Sequence, residues 1–217
     1  MVVGVRGVRG VPWWGVISSA AAPVLLIGGW TVAAGLQPRS FNPVADTISA
    51  LAAQDATDRW VMTFALLGLG ACYVMTALAL RPGTWPERAV LAVGGGATIL
   101  VAANPEPAGS GSLQHTVWAA TAFIALAIWP AASLGRGSSA PCGLRLAACV
   151  SATAMMVGLL AWFYVELATG GRHLGLAERV LAGAEALWPL AVILTCYRSQ
   201  SRARARTADP AVADLQG

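Results

Sequence analysis

Six separate apolar runs constrain this chain more than any other feature of its sequence. A helix needs about 20 apolar residues to cross a bilayer whose hydrocarbon core is about 30 Å thick. Runs of roughly that kind cover Trp13–Leu36, Trp60–Leu80, Ala89–Ala103, Leu113–Leu134, Leu144–Ala168 and Ala177–Tyr197. The sequence therefore predicts an all-α fold, a polytopic integral membrane bundle of six transmembrane helices.

The third run, Ala89–Ala103, is the shortest of the six. It becomes long enough to span if Trp85 lies in the headgroup layer and Glu87 and Arg88 extend their charged ends toward water. Pro86 suits the first turn of a helix, where its missing N–H costs no hydrogen bond. We therefore count this run as a span.

The charge content supports the membrane class. Charged residues make up 11% of the chain and hydrophobic residues 57%, whereas about 25% of the residues of a soluble domain are charged. All 14 basic residues are arginines, which excludes chemistry based on a lysine amine. These arginines are scattered between apolar runs, so no nucleic-acid partner is expected.

The placement of the arginines predicts the orientation in the membrane, because basic residues concentrate in cytoplasmic loops. With the N-terminus inside, ten arginines are cytoplasmic and four are outside. The inner set is Arg6, Arg9, Arg81, Arg88, Arg136, Arg145, Arg198, Arg202, Arg204 and Arg206; the outer set is Arg39, Arg59, Arg172 and Arg179. We predict a multi-pass membrane protein with both termini in the cytoplasm.

Three segments follow from this topology. Residues 1–12 form a cytoplasmic N-terminal segment, residues 13–198 the six-helix transmembrane domain, and residues 199–217 a disordered basic cytoplasmic tail. The tail is predicted to be disordered because it is polar and lacks aromatic residues. The four cysteines map to the inner half of the membrane or its edge, and their spacing does not match a metal site. No metal and no cofactor are expected.

The first outer loop, at about residues 37–59, is predicted to contain a short interfacial helix over Thr47–Ala53. Ile48 and Leu51 are three residues apart and share one face of such a helix, so we expect it to lie on the bundle through these two side chains. Asp46 either caps this helix or belongs to a binding site.

Several polar residues are predicted to gather at the outer side. Glu185 lies about 12 Å into the last run, where a carboxylate costs at least a few kcal/mol unless it is paired or protonated. It is expected to face inward and to pair with His115, Arg172 or Arg179, either as part of a site or as a polar pair that fixes helix packing. His115 itself could be a proton carrier, a headgroup ligand or an ordinary interfacial side chain. The candidate ligand-binding cluster at the outer face is Asp46, Ser49, His115, Glu166, Arg172, Glu178, Arg179 and Glu185.

Three strings in the chain carry a resemblance to a known family. They are NPVADTISALAA followed by DRWVMTFALLGLGA, then NPEPAGSGSLQH before an apolar helix, and finally AERVLAGAEALWPLAV. Together they resemble the actinobacterial membrane proteins of domain-of-unknown-function family 998 (DUF998), over most of Trp13–Arg198. The resemblance implies six helices and a location in the bacterial inner (plasma) membrane, and it implies no activity or catalytic residue.

Three functions fit these observations. The favoured one is binding or movement of a lipid or small hydrophobic ligand at the outer leaflet, without catalysis. The second is an intramembrane hydrolase or lipid-modifying enzyme that uses His115 with Asp46, Ser49 or Glu166. The third is a helper subunit of a membrane complex, which implies a membrane-protein partner. Nucleophile and base within hydrogen-bond reach would indicate an enzyme, whereas a carrier needs a cavity.

Overall fold

The fold is a bundle of six long α-helices. The computed structural model describes residues 10–108, 111–133 and 140–208. The helices are α1 (Trp13–Leu36), α2 (Trp60–Ala79), α3 (Trp85–Ala103), α4 (Leu113–Ile128), α5 (Leu146–Thr169) and α6 (Leu174–Ala208). Each of the six is long and apolar enough to cross a membrane, α4 together with the 3₁₀ turn after it, and no strand occurs within the described ranges. The predicted all-α class and the six spans are confirmed.

Helix α3 begins at Trp85, four residues before the apolar run that predicted it. Thr84 and Glu87 form a capping box: the Glu87 carboxylate accepts a hydrogen bond from the backbone N–H of Thr84, and the Thr84 hydroxyl accepts one from the N–H of Glu87 at 3.4 Å. This pairing satisfies two of the free N–H groups at a helix start. The helix has 19 residues, which gives it a length of about 28 Å. The short third run is therefore completed by a polar first turn.

Helix α6 continues to Ala208, although the sequence predicted a disordered tail from residue 199. Arginine, alanine and glutamine, which make up most of this extension, have high helix propensity. An established helix also needs no new nucleus to continue. Residues 209–217 of the predicted tail lie outside the described residues, as do Arg6, Arg9 and Arg136, so the placement of these residues stays a prediction.

Neighbouring helices pack along the chain order, and α6 returns to close the bundle against α1 and α5. Helices α2 and α3 approach each other closely where Gly70 and Gly95 face each other. A Cβ atom added at Gly70 would lie 2.6 Å from the Gly95 carbonyl oxygen. Two glycines at this crossing thus bring the backbones into direct contact, as small residues do in membrane bundles.

The loop between α1 and α2 carries a short 3₁₀ helix, Ser49–Ala52, which we call the loop helix. Ile48 and Leu51 are 4% and 0% exposed, so the predicted packing on the bundle through these residues is confirmed. The helix is shorter than the predicted Thr47–Ala53, and its first turn is capped by the Thr47 hydroxyl, which accepts from the N–H of Ala50 at 3.0 Å. The Asp46 carboxylate instead accepts from the N–H of Asn42 at 2.7 Å and closes the preceding turn.

The end of the bundle that carries the loop helix also carries the α3–α4 and α5–α6 connections. We call it the loop end. In the predicted topology this is the outer side.

Candidate functional site

Glu178 anchors the loop helix to α6. Its side chain is buried, and its carboxylate accepts hydrogen bonds from the backbone N–H of Ile48 and from the Ser49 hydroxyl, the latter at 3.4 Å. Glu178 lies in the second turn of α6, so it places a carboxylate under the loop rather than in open water. One acid thus connects the loop helix to the core of the bundle.

Arg179, the next residue, holds the segment before the loop helix. Its Nη1 atom donates to the carbonyl oxygens of Pro43, Asp46 and Gly175 at 2.7, 2.7 and 2.9 Å. The backbone N–H groups of Gly175 and Leu176 donate to loop carbonyls as well. These bonds satisfy N–H groups that a helix start leaves free. Arg179 therefore stabilises the loop through backbone carbonyls.

His115 is held at the start of α4 by the α3–α4 connection. Its Nδ1 atom lies 2.9 Å from the carbonyl oxygen of Asn104, and since a carbonyl only accepts, Nδ1 is the donor. Its Nε2 atom lies 3.7 Å from a carboxylate oxygen of Glu106, and the side chains are 4% and 34% exposed. The expected pairing of His115 or Arg179 with Glu185 is wrong, because both residues bind loop-end groups instead.

Glu106 is a site residue that the sequence reasoning missed. It lies in the NPEP string between α3 and α4, where no apolar periodicity places it against a helix. One signal in the sequence could have identified Glu106. It precedes His115 by nine residues in a proline-rich connection between two predicted helices, which keeps the two side chains at the same end of the bundle.

A cavity of about 120 Å³ opens at the loop end between α4, α5 and the loop helix. One wall is apolar and aromatic, formed largely by Phe123, Phe163, Tyr164 and Leu167. The other side carries Ser49, Glu106, His115 and Glu178. We call it the shallow cavity; it brings three of the predicted site residues together on one apolar surface.

A second, deeper cavity of about 60 Å³ lies in the centre of the bundle. Its polar lining includes Glu185, Tyr73 on α2 and Thr98 on α3. Glu185 is 1% exposed, and its Oε1 atom has no hydrogen-bond partner among the described residues. Eleven residues separate it from the start of α6, which puts it about 16 Å along the helix. The prediction that Glu185 faces inward is confirmed.

The two cavities adjoin. Ser49, Ala119, Phe123 and Glu178 line both of them, so the floor of the shallow cavity is the roof of the deep one. Polar groups therefore follow one another from the loop end, through Glu178, to Glu185.

Four predicted residues line neither cavity: Arg179, which binds the loop carbonyls, and the three described next. Glu166 accepts from Trp162 Nε1 at 3.3 Å and from the N–H of His173 at 3.0 Å, so it closes the C-terminal end of α5. Arg172 is exposed. Asp46 closes its own turn behind the loop helix. The structure thus divides the predicted cluster into cavity residues and residues that shape the loops.

Among the described residues, the contacts do not pair Ser49 with His115, the combination that the enzyme alternative uses. The Ser49 hydroxyl donates to Glu178, whereas the His115 ring donates from Nδ1 to Asn104 and lies 3.7 Å from Glu106. A serine nucleophile needs a base within hydrogen-bond reach. Among residues 10–108, 111–133 and 140–208, no group of three or more His, Cys, Asp or Glu side chains could hold a metal ion.

Comparison with known proteins identifies one relationship. A family model described as "Protein of unknown function (DUF998)" matches residues 19–195. The matched range contains both cavities, the loop helix and every residue of the predicted cluster. No curated protein matches the chain, and no solved structure does.

Proposed function

The chain belongs to the DUF998 family, and on that premise we propose that it binds the polar end of a lipid or small hydrophobic ligand in the shallow cavity. The family description assigns no activity. The observation that carries the proposal is the meeting of an aromatic wall, Phe123 and Phe163, with two carboxylates, Glu106 and Glu178, in one cavity.

The polar groups of this cavity favour a ligand that donates hydrogen bonds. Glu106 and Glu178 present acceptor oxygens, and His115, with its proton on Nδ1, presents an acceptor at Nε2. An amine or hydroxyl group satisfies acceptors of this kind, whereas a carboxylate or phosphate meets like charge. We therefore infer a ligand with an ammonium or hydroxyl end.

The volume of the shallow cavity limits the size of the ligand group that it can hold. About 120 Å³ corresponds to roughly four water molecules at their share of liquid volume, so only the end of an amphiphile fits. The rest of the molecule would lie along apolar side chains of α5 near the cavity mouth, such as Val165 and Leu167, which are 59% and 47% exposed. This arrangement fits a ligand that arrives from the lipid phase.

The arginine count supports one orientation of the shallow cavity in the membrane. Cytoplasmic loops collect arginine, and the loop end carries fewer arginines than the opposite end. This supports a location of the shallow cavity at the outer leaflet of the plasma membrane.

Native mass spectrometry of the purified chain with hexadecylamine, hexadecanol and hexadecanoic acid tests the proposal. We expect the amine to be retained at least about tenfold better than the acid, a difference of about 1.4 kcal/mol. Glu106→Gln should remove most of that preference and leave the loop in place, because Glu178 and Arg179 hold the loop helix. Val117→Ala, on the outward side of α4, is the matched control and should change nothing. Equal retention of amine and acid by the wild type contradicts the proposal.

A further inference from the structure

Glu185 lies in the interior of a membrane bundle, and within the described ranges no counter-charge lies beside its carboxyl group. Its Oε1 atom is buried without a hydrogen-bond partner in the described part of the chain, and α6 carries it about 16 Å from the helix start. A charged side chain at such depth is expensive, and acids inside membrane bundles mark proton and ion pathways.

The deep cavity beside Glu185 has room for water, which can exchange a proton with this carboxyl group. Its volume of about 60 Å³ corresponds to roughly two water molecules at their share of liquid volume, and a water also needs two or more polar partners. Glu185, Tyr73, Thr98, Ser49 and Glu178 all line this cavity. The space is therefore large enough and polar enough for water beside Glu185.

The route to bulk water runs toward the loop end. Glu178 and Ser49 line both cavities, and the shallow cavity reaches Glu106, whose side chain is 34% exposed. On this route, the deep cavity is lined by Leu26 of α1, by Thr98 and Val101 of α3, and by apolar side chains of α4. The titratable groups that face Glu185 there are Tyr73 and Glu178.

We propose that Glu185 is an internal proton-binding site that exchanges its proton with water at the loop end through the two adjoining cavities. The step is a proton transfer between a water molecule and a carboxylate oxygen of Glu185, with no other bond made or broken. It needs only the cavities and Glu185, so it stands independently of the amphiphile proposed above.

Infrared spectroscopy of the chain in lipid membranes tests this directly, because a protonated carboxylic acid has its own C=O stretching band. The wild type should show such a band that is absent from Glu185→Gln. Replacing H₂O by D₂O should shift this band to lower wavenumber, because the acid proton is exchanged for deuterium. Should Glu185→Gln not fold, Glu185→Asp keeps the acid and identifies the band by moving it.

A larger side chain placed in the cavities tests whether the proton exchanges along this route. Ala119 lines both cavities, so Ala119→Leu should slow the D₂O shift of the Glu185 band. Val117→Leu adds volume on the outward side of the same helix, outside both cavities, and should leave the rate unchanged. A wild-type spectrum without a band assignable to Glu185, a band that does not shift in D₂O, or equal rates in the two variants overturns the proposal.

Discussion

At the scale of single residues, the adjacent charges of Glu178 and Arg179 bind two different parts of the loop between α1 and α2. Side chains at neighbouring positions of a helix point in different directions. Glu178 therefore faces Ile48 and Ser49 under the loop helix, while Arg179 reaches the carbonyls of Pro43 and Asp46. The two residues do not simply neutralise each other; they hold two successive parts of one loop.

Removing the Glu178 carboxylate should loosen the loop helix. Glu178→Ala leaves the N–H of Ile48 and the Ser49 hydroxyl without their acceptor, at a cost of about 1–3 kcal/mol. Hydrogen exchange of the backbone amides over Ile48–Ala53 should accelerate. Glu166→Ala is the matched control, because the Glu166 carboxylate binds Trp162 and His173 at the end of α5. Unchanged exchange in Glu178→Ala would show that apolar packing of Ile48 and Leu51 alone holds the loop.

The sequence correctly predicted that Glu185 faces inward, but it predicted the wrong partners for its carboxylate. Depth and orientation follow from helix geometry, which the apolar residues around Glu185 define. Partners depend on the path of the loops, and no periodicity encodes that path. Glu106 and the carbonyls that bind Arg179 all lie in such connections.

At the scale of elements, apolar length predicted all six helices and left their ends uncertain. The first turn of α3 depends on the capping box of Thr84 and Glu87, which an apolar count does not register. The extension of α6 to Ala208 depends on helix propensity in a polar segment. Both errors arise where backbone hydrogen bonding, rather than burial, decides the structure.

The crossing of α2 and α3 should tolerate no side chain. Gly70→Ala would bring its Cβ atom within 2.7 Å of both the Gly95 carbonyl oxygen and Ile99, and overpacking of this kind costs typically about 1–3 kcal/mol. Thermal unfolding in detergent should occur at a lower temperature. Gly96→Ala is the control: a Cβ atom there has no neighbour within 4 Å, so its unfolding temperature should be unchanged or slightly higher. Equal effects of the two substitutions would rule out close packing at this crossing.

At the scale of the whole molecule, the six helices place the start of α1 and the end of α6 on the same side of the membrane. Arg198, Arg202 and Arg204 lie on the helical extension of α6, and basic residues of this kind favour the cytoplasm. The loop end, with the mouth of the shallow cavity, should then face outward.

Cysteine labelling checks this orientation. In a background without Cys72, Cys142, Cys149 and Cys196, a cysteine at Gly111 should react with an impermeant thiol reagent in intact cells. A cysteine at Ser201 should react only after permeabilisation. The reverse labelling pattern would show the opposite orientation in the membrane, with the cavities at the inner leaflet.

The central claim is that the shallow cavity receives the polar end of an amphiphile, and photocrosslinking in lipid nanodiscs tests it most directly. A hexadecylamine that carries a diazirine near its amino group should form adducts on the α4 and α5 peptides around Phe123 and Phe163, which line the cavity. Unlabelled hexadecylamine should suppress these adducts, and hexadecanoic acid should not. Adducts confined to the outward groove around Val93 and Ile124, or equally suppressed by the amine and the acid, would contradict the account.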